Sequence, residues 1–295
     1  MVIIDTHFVI ELKQEIRFVD YAIGIFPQLQ TKNAIKKAIK RKALLLNGSL
    51  ADQGWWIKEN DKIELVDPGH RIPKPYDFDI PIIYEDDYLV IVNKPSGLTV
   101  SGNKYDTLEN ALVDKVRLST QVDAWKWAKP VHRLDSATSG LIVFSKTAGI
   151  HRQLAKLFED KNIEKTYVAL LTGSQTEDVV IDSRINKQEA LSELNVIKVI
   201  SSLRNGFLTL VRFKPRTGRT HQLRIHAKLI GHPIVGDKLY GEEGKTLLKK
   251  GIFLCAVQLE FEHPATKEKM DISLEIPYKF NALIERETRR WNKYY

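Results

Sequence analysis

The chain of 295 residues contains one cysteine, Cys255. That excludes an internal disulfide and any multi-cysteine metal centre, and it fits a reducing compartment such as the cytoplasm. Long hydrophobic runs are missing as well. The apolar stretches Leu89 to Val92 and Leu141 to Phe144 are far too short to span a bilayer, so no membrane is expected as a partner. The N-terminal "MVIIDTHFVIELK" has no basic region ahead of its apolar residues, and a secretory signal is not expected. No repeat of solenoid period and no low-complexity segment occurs.

Several catalytic signatures are absent too. There is no GxGxxG and no Gly-x-Ser-x-Gly elbow. "GKT" at Gly244 to Thr246 lacks the leading glycine of a P-loop, because Leu239 stands in its place. "HRLD" at His132 to Asp135 differs from the His-Arg-Asp order of the kinase catalytic loop and has no DFG for company. His221 and His226 stand five apart, which turns them to different sides of a helix, and no third ligand lies at zinc spacing. No metal site is expected.

What the sequence has in excess is positive charge. It carries 45 Lys and Arg against 37 Asp and Glu, a net charge of +8. Such a balance favours polyanionic partners, nucleic acid first. The cations also cluster. "TKNAIKKAIKRK", residues 31 to 42, has no acid. Ala34, Ile35, Ala38 and Ile39 form one stripe of a predicted helix, and Lys36, Lys37, Lys40 and Arg41 take the other side. Like charges at i,i+4 weaken a helix by roughly 0.2–0.5 kcal/mol per pair. A face that meets phosphates recovers that cost through counterion release.

After this helix, Asn47-Gly48 marks a tight turn, and the segment reads as two short helices followed by a compact hairpin ending near Val66. Pro68, Pro73, Pro75 and Pro81 then mark a linker over 67–81. Beyond it come the strands "IIYED" and "YLVIVNK" and a helix "DTLENALVDKVR" with a capping box from Asp106 and Glu109. The helix "AGIHRQLAKLFEDK" and a series of alternating strands follow. Few helices among many alternating strands predict an α+β fold with a mixed, mainly antiparallel sheet.

Two polar loops stand out, His132 to Gly140 and residues 212–241. In the second, Thr220 is the expected N-cap of a helix that Gly231 and Pro233 stop. Arg219 and Arg224 bracket its first turn, where backbone N–H groups favour anions. Singly these residues are ambiguous. Asp135 reads as a turn residue, a metal ligand, a phosphotransfer base or a nucleophile, and Tyr167 reads as sheet packing more readily than as chemistry.

Taken in order, "HRLDSATSGLIVFSKT", "KTYVALLTG" and "PRTGRTHQLRIHAKLIGHPIVGDKLYG" resemble the signature segments of the RluA-type pseudouridine synthases. "IIYEDDYLVIVNKPSGLTV" is similar to that family's opening strands and "LEFEHPATKE" to its closing ones. "RFVDYAIGIFPQL", the basic helix and "LLLNG" resemble the alpha-L RNA-binding motif, with Thr31-Lys32 and Lys42-Ala43-Leu44 departing from its usual pattern. The resemblance implies a small α+β RNA-binding domain over 1–66, the linker over 67–81, a catalytic domain over 82–284 and a basic, aromatic tail over 285–295.

It also implies roles. Asp135 matches the family's essential aspartate, a nucleophile that forms and releases an ester to carbon. Arg224 matches its counterion, and Tyr167 matches the tyrosine that stacks on the base. Arg133 matches the side chain that fills the gap left by a flipped nucleotide. Arg219 is the second choice for that counterion and is assigned first to phosphate, while His132, Thr138, Ser139 and Gly140 shape the loop. Ser101 and Cys255 stand where histidines are common. The implied activity is isomerisation of uridine in structured RNA without cofactor or metal. Ribosomal RNA is the favoured partner and transfer RNA the alternative, and a monomer is expected. Two other classes remain open on the sequence. One is a non-catalytic RNA-binding or ribosome-assembly protein on the same fold. The other is a nucleoside hydrolase, marked by release of free uracil.

Overall fold

The computed structural model describes residues 2–12, 14–27, 29–67, 73–241 and 250–295. The chain divides into two compact units, Met1–Arg71 and Ile72–Tyr295. Residues 68–72 of the proline-rich segment and the Gly244 to Thr246 tripeptide lie outside the described residues. Among those residues no helix is long and apolar enough to cross a membrane.

The first unit contains β1 (Val2–Phe8), α1 (Phe18–Tyr21), α2 (Lys32–Lys40), β2 (Leu44–Leu46), β3 (Ser49–Leu50) and β4 (Lys62–Asp67). Among the described residues its four strands run in the order β1-β4-β2-β3. Phe18, Phe26, Ile35, Leu44 and Ile63 form its core. Thr31 caps α2 by accepting from the Ala34 N–H at 3.1 Å. Ile35 and Ala38 are the buried side of that helix, and Lys36, Lys37, Lys40 and Arg41 are exposed. Asn47 and Gly48 both take positive φ, 51° and 78°, the conformation a two-residue hairpin turn requires. Strand β1 carries no sequence signal, because its exposed Ile3, Ile4 and Phe8 break the apolar–polar alternation.

The second unit opens with β5 (Ile82–Glu85), β6 (Leu89–Lys94), α3 (Leu108–Ala111), β7 (Ala124–Pro130), β8 (Ser139–Thr147) and α4 (Ala148–Glu159). It continues with β9 (Glu164–Thr172), β10 (Val179–Asp182), β11 (Leu191–Ser202), β12 (Gly206–Pro215) and α5 (Gln222–Leu229). It closes with β13 (Leu254–Glu262), β14 (Lys269–Ser273) and α6 (Tyr278–Tyr294). The strands form one sheet, ten-stranded among the described residues, with the path β10-β11-β12-β9-β13-β8-β6-β5. All its pairs there are antiparallel except β8 with β13, so the fold is α+β with a mixed, mainly antiparallel sheet. Alternation along β9 sends Ala169 and Leu171 to the face that packs Leu223 and Ala227 of α5. Val168 and Leu170 point to the other face, against Phe280 and Leu283 of α6.

Three sequence expectations need correction. Helix α3 covers four residues, and its cap is Thr107, which accepts from the Asn110 N–H. Glu109 does not close a capping box; it accepts from the Trp127 indole at 2.8 Å. The N-cap of α5 is His221, not Thr220, with φ at 58° and no side-chain cap bond. The 284/285 boundary falls inside α6, whose Glu287 is buried and accepts from the Ser202 hydroxyl at 2.7 Å.

The parallel pair positions the site. Ser139 and Gly140 lie beside Cys255 and Ala256. Ala256 in turn pairs with Tyr167, and Tyr167 with Phe213 of β12. The loop before β8, the middle of β9 and the end of β12 therefore meet along one row. Gly140 has φ at 114°, and a Cβ there would run into the backbone nitrogen and carbonyl of Ala256. Gly140→Ala should therefore destabilise the second unit by about 3 kcal/mol, combining overpacking with positive-φ strain. Urea unfolding followed by intrinsic fluorescence measures it, and an unchanged midpoint would contradict the close approach.

Candidate active site

The loop between β7 and β8 is held from several sides. His132 Nε2 accepts from the Val143 N–H at 3.0 Å, so its proton sits on Nδ1. Its ring lies 4.4 Å from that of Phe158 on α4. Burial, aided by the nearby Lys165 charge, pushes the imidazole pKa down to about 3, and His132 is neutral at physiological pH. The Thr138 N–H donates to the Asp135 carbonyl at 3.0 Å and closes a turn around the aspartate.

The "KPSG" segment after β6 grips the same turn. Gly97 N–H donates to the Ser136 carbonyl at 2.7 Å, and the Ser96 hydroxyl to the Ala137 carbonyl at 2.6 Å. Lys94 is fully buried, and its ammonium donates to the carbonyls of Pro95, Leu98 and Ser136 at 2.9, 2.7 and 3.1 Å. Three carbonyl dipoles satisfy its three donors. Burial lowers its pKa to about 8, with Asp135 opposing the shift.

The second loop supplies the countercharge. Buried Gln222 uses its whole amide to fix the start of α5. Its oxygen accepts from the Thr217 hydroxyl and the Arg219 N–H, and its nitrogen donates to the Leu191 carbonyl and the Ser192 hydroxyl. Arg224, two residues on, is buried. Its Nε and Nη2 donate to the two oxygens of Asp237 at 2.7 and 2.8 Å, and Nη1 reaches Asp135 at 3.4 Å. The Asp237 side chain is 0% exposed and also accepts from the N–H groups of Leu239 and Tyr240. Burial pushes the Asp237 carboxyl up, but the Arg224 and backbone hydrogen bonds outweigh it, so its pKa lies below the usual range. His221 completes a ring of contacts. Its Nδ1 is 3.0 Å from the Tyr240 hydroxyl, and its Nε2 is 3.7 Å from Asp135.

Asp135 lies on a cleft of about 530 Å³, an ordinary size for a ligand site. His132, Arg133, Thr138, Tyr167, Arg219 and Arg224 line it as well. Tyr167 is half-buried, and burial, reinforced by Asp135, raises its hydroxyl pKa, so it is a phenol at neutral pH. Arg133 is exposed and makes no hydrogen bond or ion pair among the described residues. Arg219 directs its Nε to the Glu189 carbonyl at 2.9 Å. Lys36, Lys37, Lys40 and Arg41 belong to the first unit and are not among these lining residues. Sequence reasoning missed Asp237, Lys94, His221 and Tyr240. Asp237 and Tyr240 stand in "GDKLYG", inside a quoted segment, where nothing in the spacing points back to Arg224.

Comparison with known proteins adds to this geometry. A profile of the RNA pseudouridylate synthase family matches residues 88–229. A ribosomal large subunit pseudouridine synthase C of Rickettsia bellii is 31% identical over 292 residues, covering 89% of this chain and 95% of that one. A dual-specificity RNA pseudouridine synthase RluA of Pasteurella multocida is 34% identical over 213 residues, covering 68% of this chain and 94% of that one. The solved human RNA pseudouridylate synthase domain containing 1 is similar with a TM-score of 0.56 and 25% identity, covering 68% of this chain and 84% of that one.

Asp237→Asn should cost about 3 kcal/mol at neutral pH, because Arg224 loses its bidentate partner. A carboxyl with a depressed folded pKa adds stability that is present above its unfolded pKa, about 3.9, and is lost as pH falls through the folded value. The gap between wild type and Asp237→Asn should therefore be full at pH 6 and close below about pH 4. Denaturant midpoints across that range measure it, and a pH-independent gap would remove the charge from the explanation.

Proposed function

The chain belongs to the RluA-type RNA pseudouridylate synthases, enzymes that make pseudouridine in RNA, and from that premise we propose that its substrate is large-subunit ribosomal RNA and that Asp135 is its nucleophile. The observation that carries the second part is Asp135 on the cleft, 3.4 Å from a guanidinium whose other edge is locked to Asp237. A guanidinium held in this way keeps the carboxylate aimed for attack. The name of the Rickettsia relative supports ribosomal RNA of the large subunit.

The isomerisation breaks the bond between the ribose and a ring nitrogen, turns the base and joins the ribose to a ring carbon. A proton leaves that carbon and the freed nitrogen gains one, so atoms balance without a cofactor. Asp135 forms an ester to carbon and releases it. Tyr167 is the platform on which the base stacks, and its raised pKa favours a hydrogen-bonding phenol over a phenolate base. The target must leave its stack to reach a cleft of this kind. Arg133, two residues from Asp135, exposed and unpartnered among the described residues, is suited to fill the vacated place. His132 and Thr138 hold the loop, and Arg219 lies at the rim for phosphate.

The first unit is read as the alpha-L type RNA-binding domain. Lys36, Lys37, Lys40 and Arg41 support this, being exposed on one helix and free of carboxylate partners among the described residues, whereas Lys32 pairs with Asp20 at 2.6 Å.

Deleting the gene and mapping pseudouridine across all cellular RNA tests the reading. At least one site in large-subunit ribosomal RNA should disappear, return with the wild-type gene and stay absent with Asp135→Asn. Restoration by Asp135→Asn would remove the nucleophile assignment. Lost sites confined to transfer RNA would replace the substrate.

A further inference from the structure

Three of the cations around the cleft are already committed. Arg224 serves two carboxylates. Arg216 binds Glu193 at 2.7 and 3.1 Å and Glu164 at 3.5 Å. Arg219 is tied to a backbone carbonyl. Lys165 differs. It stands two residues before Tyr167 on β9, so both side chains leave the same face of the strand, and both line the cleft. It is half-buried, yet it makes no hydrogen bond or ion pair among the described residues. The contact given for its ammonium is the Phe158 ring, 5.9 Å away, at the outer edge of cation–π range. Burial without a partner lowers its pKa. The neighbouring His132 is neutral and supplies no countercharge. Lys161, on the turn after α4, lines the same cleft, is exposed and is unpaired among the described residues. Glu159, also on the cleft, forms an ion pair with neither lysine.

A half-buried ammonium facing an open cleft is short of one anion. The strand sets Lys165 beside Tyr167, next to the stacked base in the reading above. The anion carried alongside every base of an RNA is its backbone phosphate. We propose that Lys165 seats a backbone phosphate at or next to the target uridine, with Lys161 beside it. The inference rests on the reading that RNA occupies this cleft. A phosphodiester oxygen accepts from the ammonium and cancels its uncompensated charge, which orients the nucleotide so that its base falls on Tyr167. The competing view is a lysine that merely lays its methylene stem on Phe158 and keeps its head in water.

Three proteins separate the two: wild type, Lys165→Met, which keeps the stem, and Lys165→Arg, which keeps the charge. Each is titrated with an unmodified large-subunit ribosomal RNA transcript over a range of salt, and pseudouridine formation is followed in single turnover. Lys165→Met should bind roughly tenfold more weakly at low salt, the loss expected for one charge-assisted hydrogen bond. Its slope of log K against log salt should be shallower by about 0.7–0.9, one phosphate's worth. Lys165→Arg should retain most of the affinity and the full slope. Neither variant should have a lower thermal midpoint than wild type, since Lys165→Met removes an uncompensated charge. Equal affinity and slope for Lys165→Met and wild type would overturn the phosphate seat. So would weaker binding with an unchanged slope, or a Lys165→Arg protein as impaired as Lys165→Met. If wild type itself neither binds nor modifies the transcript, the RNA reading of the cleft falls first and takes the seat with it.

Discussion

One guanidinium shared by two carboxylates governs the site. Asp237 occupies the Nε and Nη2 edge of Arg224 at 2.7 and 2.8 Å. A guanidinium is planar and its donors have fixed directions, so a bidentate grip on one edge fixes where the remaining donor points. That donor, Nη1, faces Asp135 at 3.4 Å. Asp237 cannot swing away, because the N–H groups of Leu239 and Tyr240 hold the same carboxylate. The aim of Asp135 is thus inherited from a residue that does not line the cleft.

The other side of Asp135 is fixed with equal economy. Lys94 spends its ammonium on three carbonyls, one of them Ser136, the next residue along. A buried cation satisfied by backbone dipoles is stiff and leaves no free donor to compete for the neighbouring carboxylate. Gly140 then lets β8 lie against β13 in parallel register, where any Cβ would strike Ala256. Loop, sheet and counterion therefore fix one carboxylate in three independent ways. Such redundancy suits the role proposed for Asp135, because reorganisation of a nucleophile during reaction would add to the barrier.

Several strands with one buried face were legible, but β7 and β10 were not read as strands. Alternation marks β9 and β11 to β13, the apolar stripe marks α2, and Asn47-Gly48 marks its turn. Strand β1 was not legible, because exposed Ile3 and Ile4 remove the period. Local rules also failed at two caps. Thr107, not Asp106, closes α3, and His221 enters α5 from the left-handed region, a conformation that no capping preference predicts. Asp135, Tyr167 and Arg224 come from three separated segments, and periodicity alone could not have joined them; the order of the segments did. Asp237 and Lys94 stayed hidden for a different reason. Acids and lysines read as surface residues unless their partners are known, and their partners are reached only through tertiary contact.

The division among the cations follows from the same physics. A cation that orients a catalytic group must be bound before substrate arrives, or substrate binding would have to supply the cost of ordering it. Arg224 and Lys94 meet that condition, since each is held by hydrogen bonds within the protein. A cation that recognises a polyanion must be free beforehand, or each phosphate would have to displace an internal partner. Arg133, Lys161 and Lys165 meet that opposite condition among the described residues. Asp135 and Asp237 are matched by the two buried cations Arg224 and Lys94, so the positive charge that draws in an RNA has to come from the free cations on the cleft.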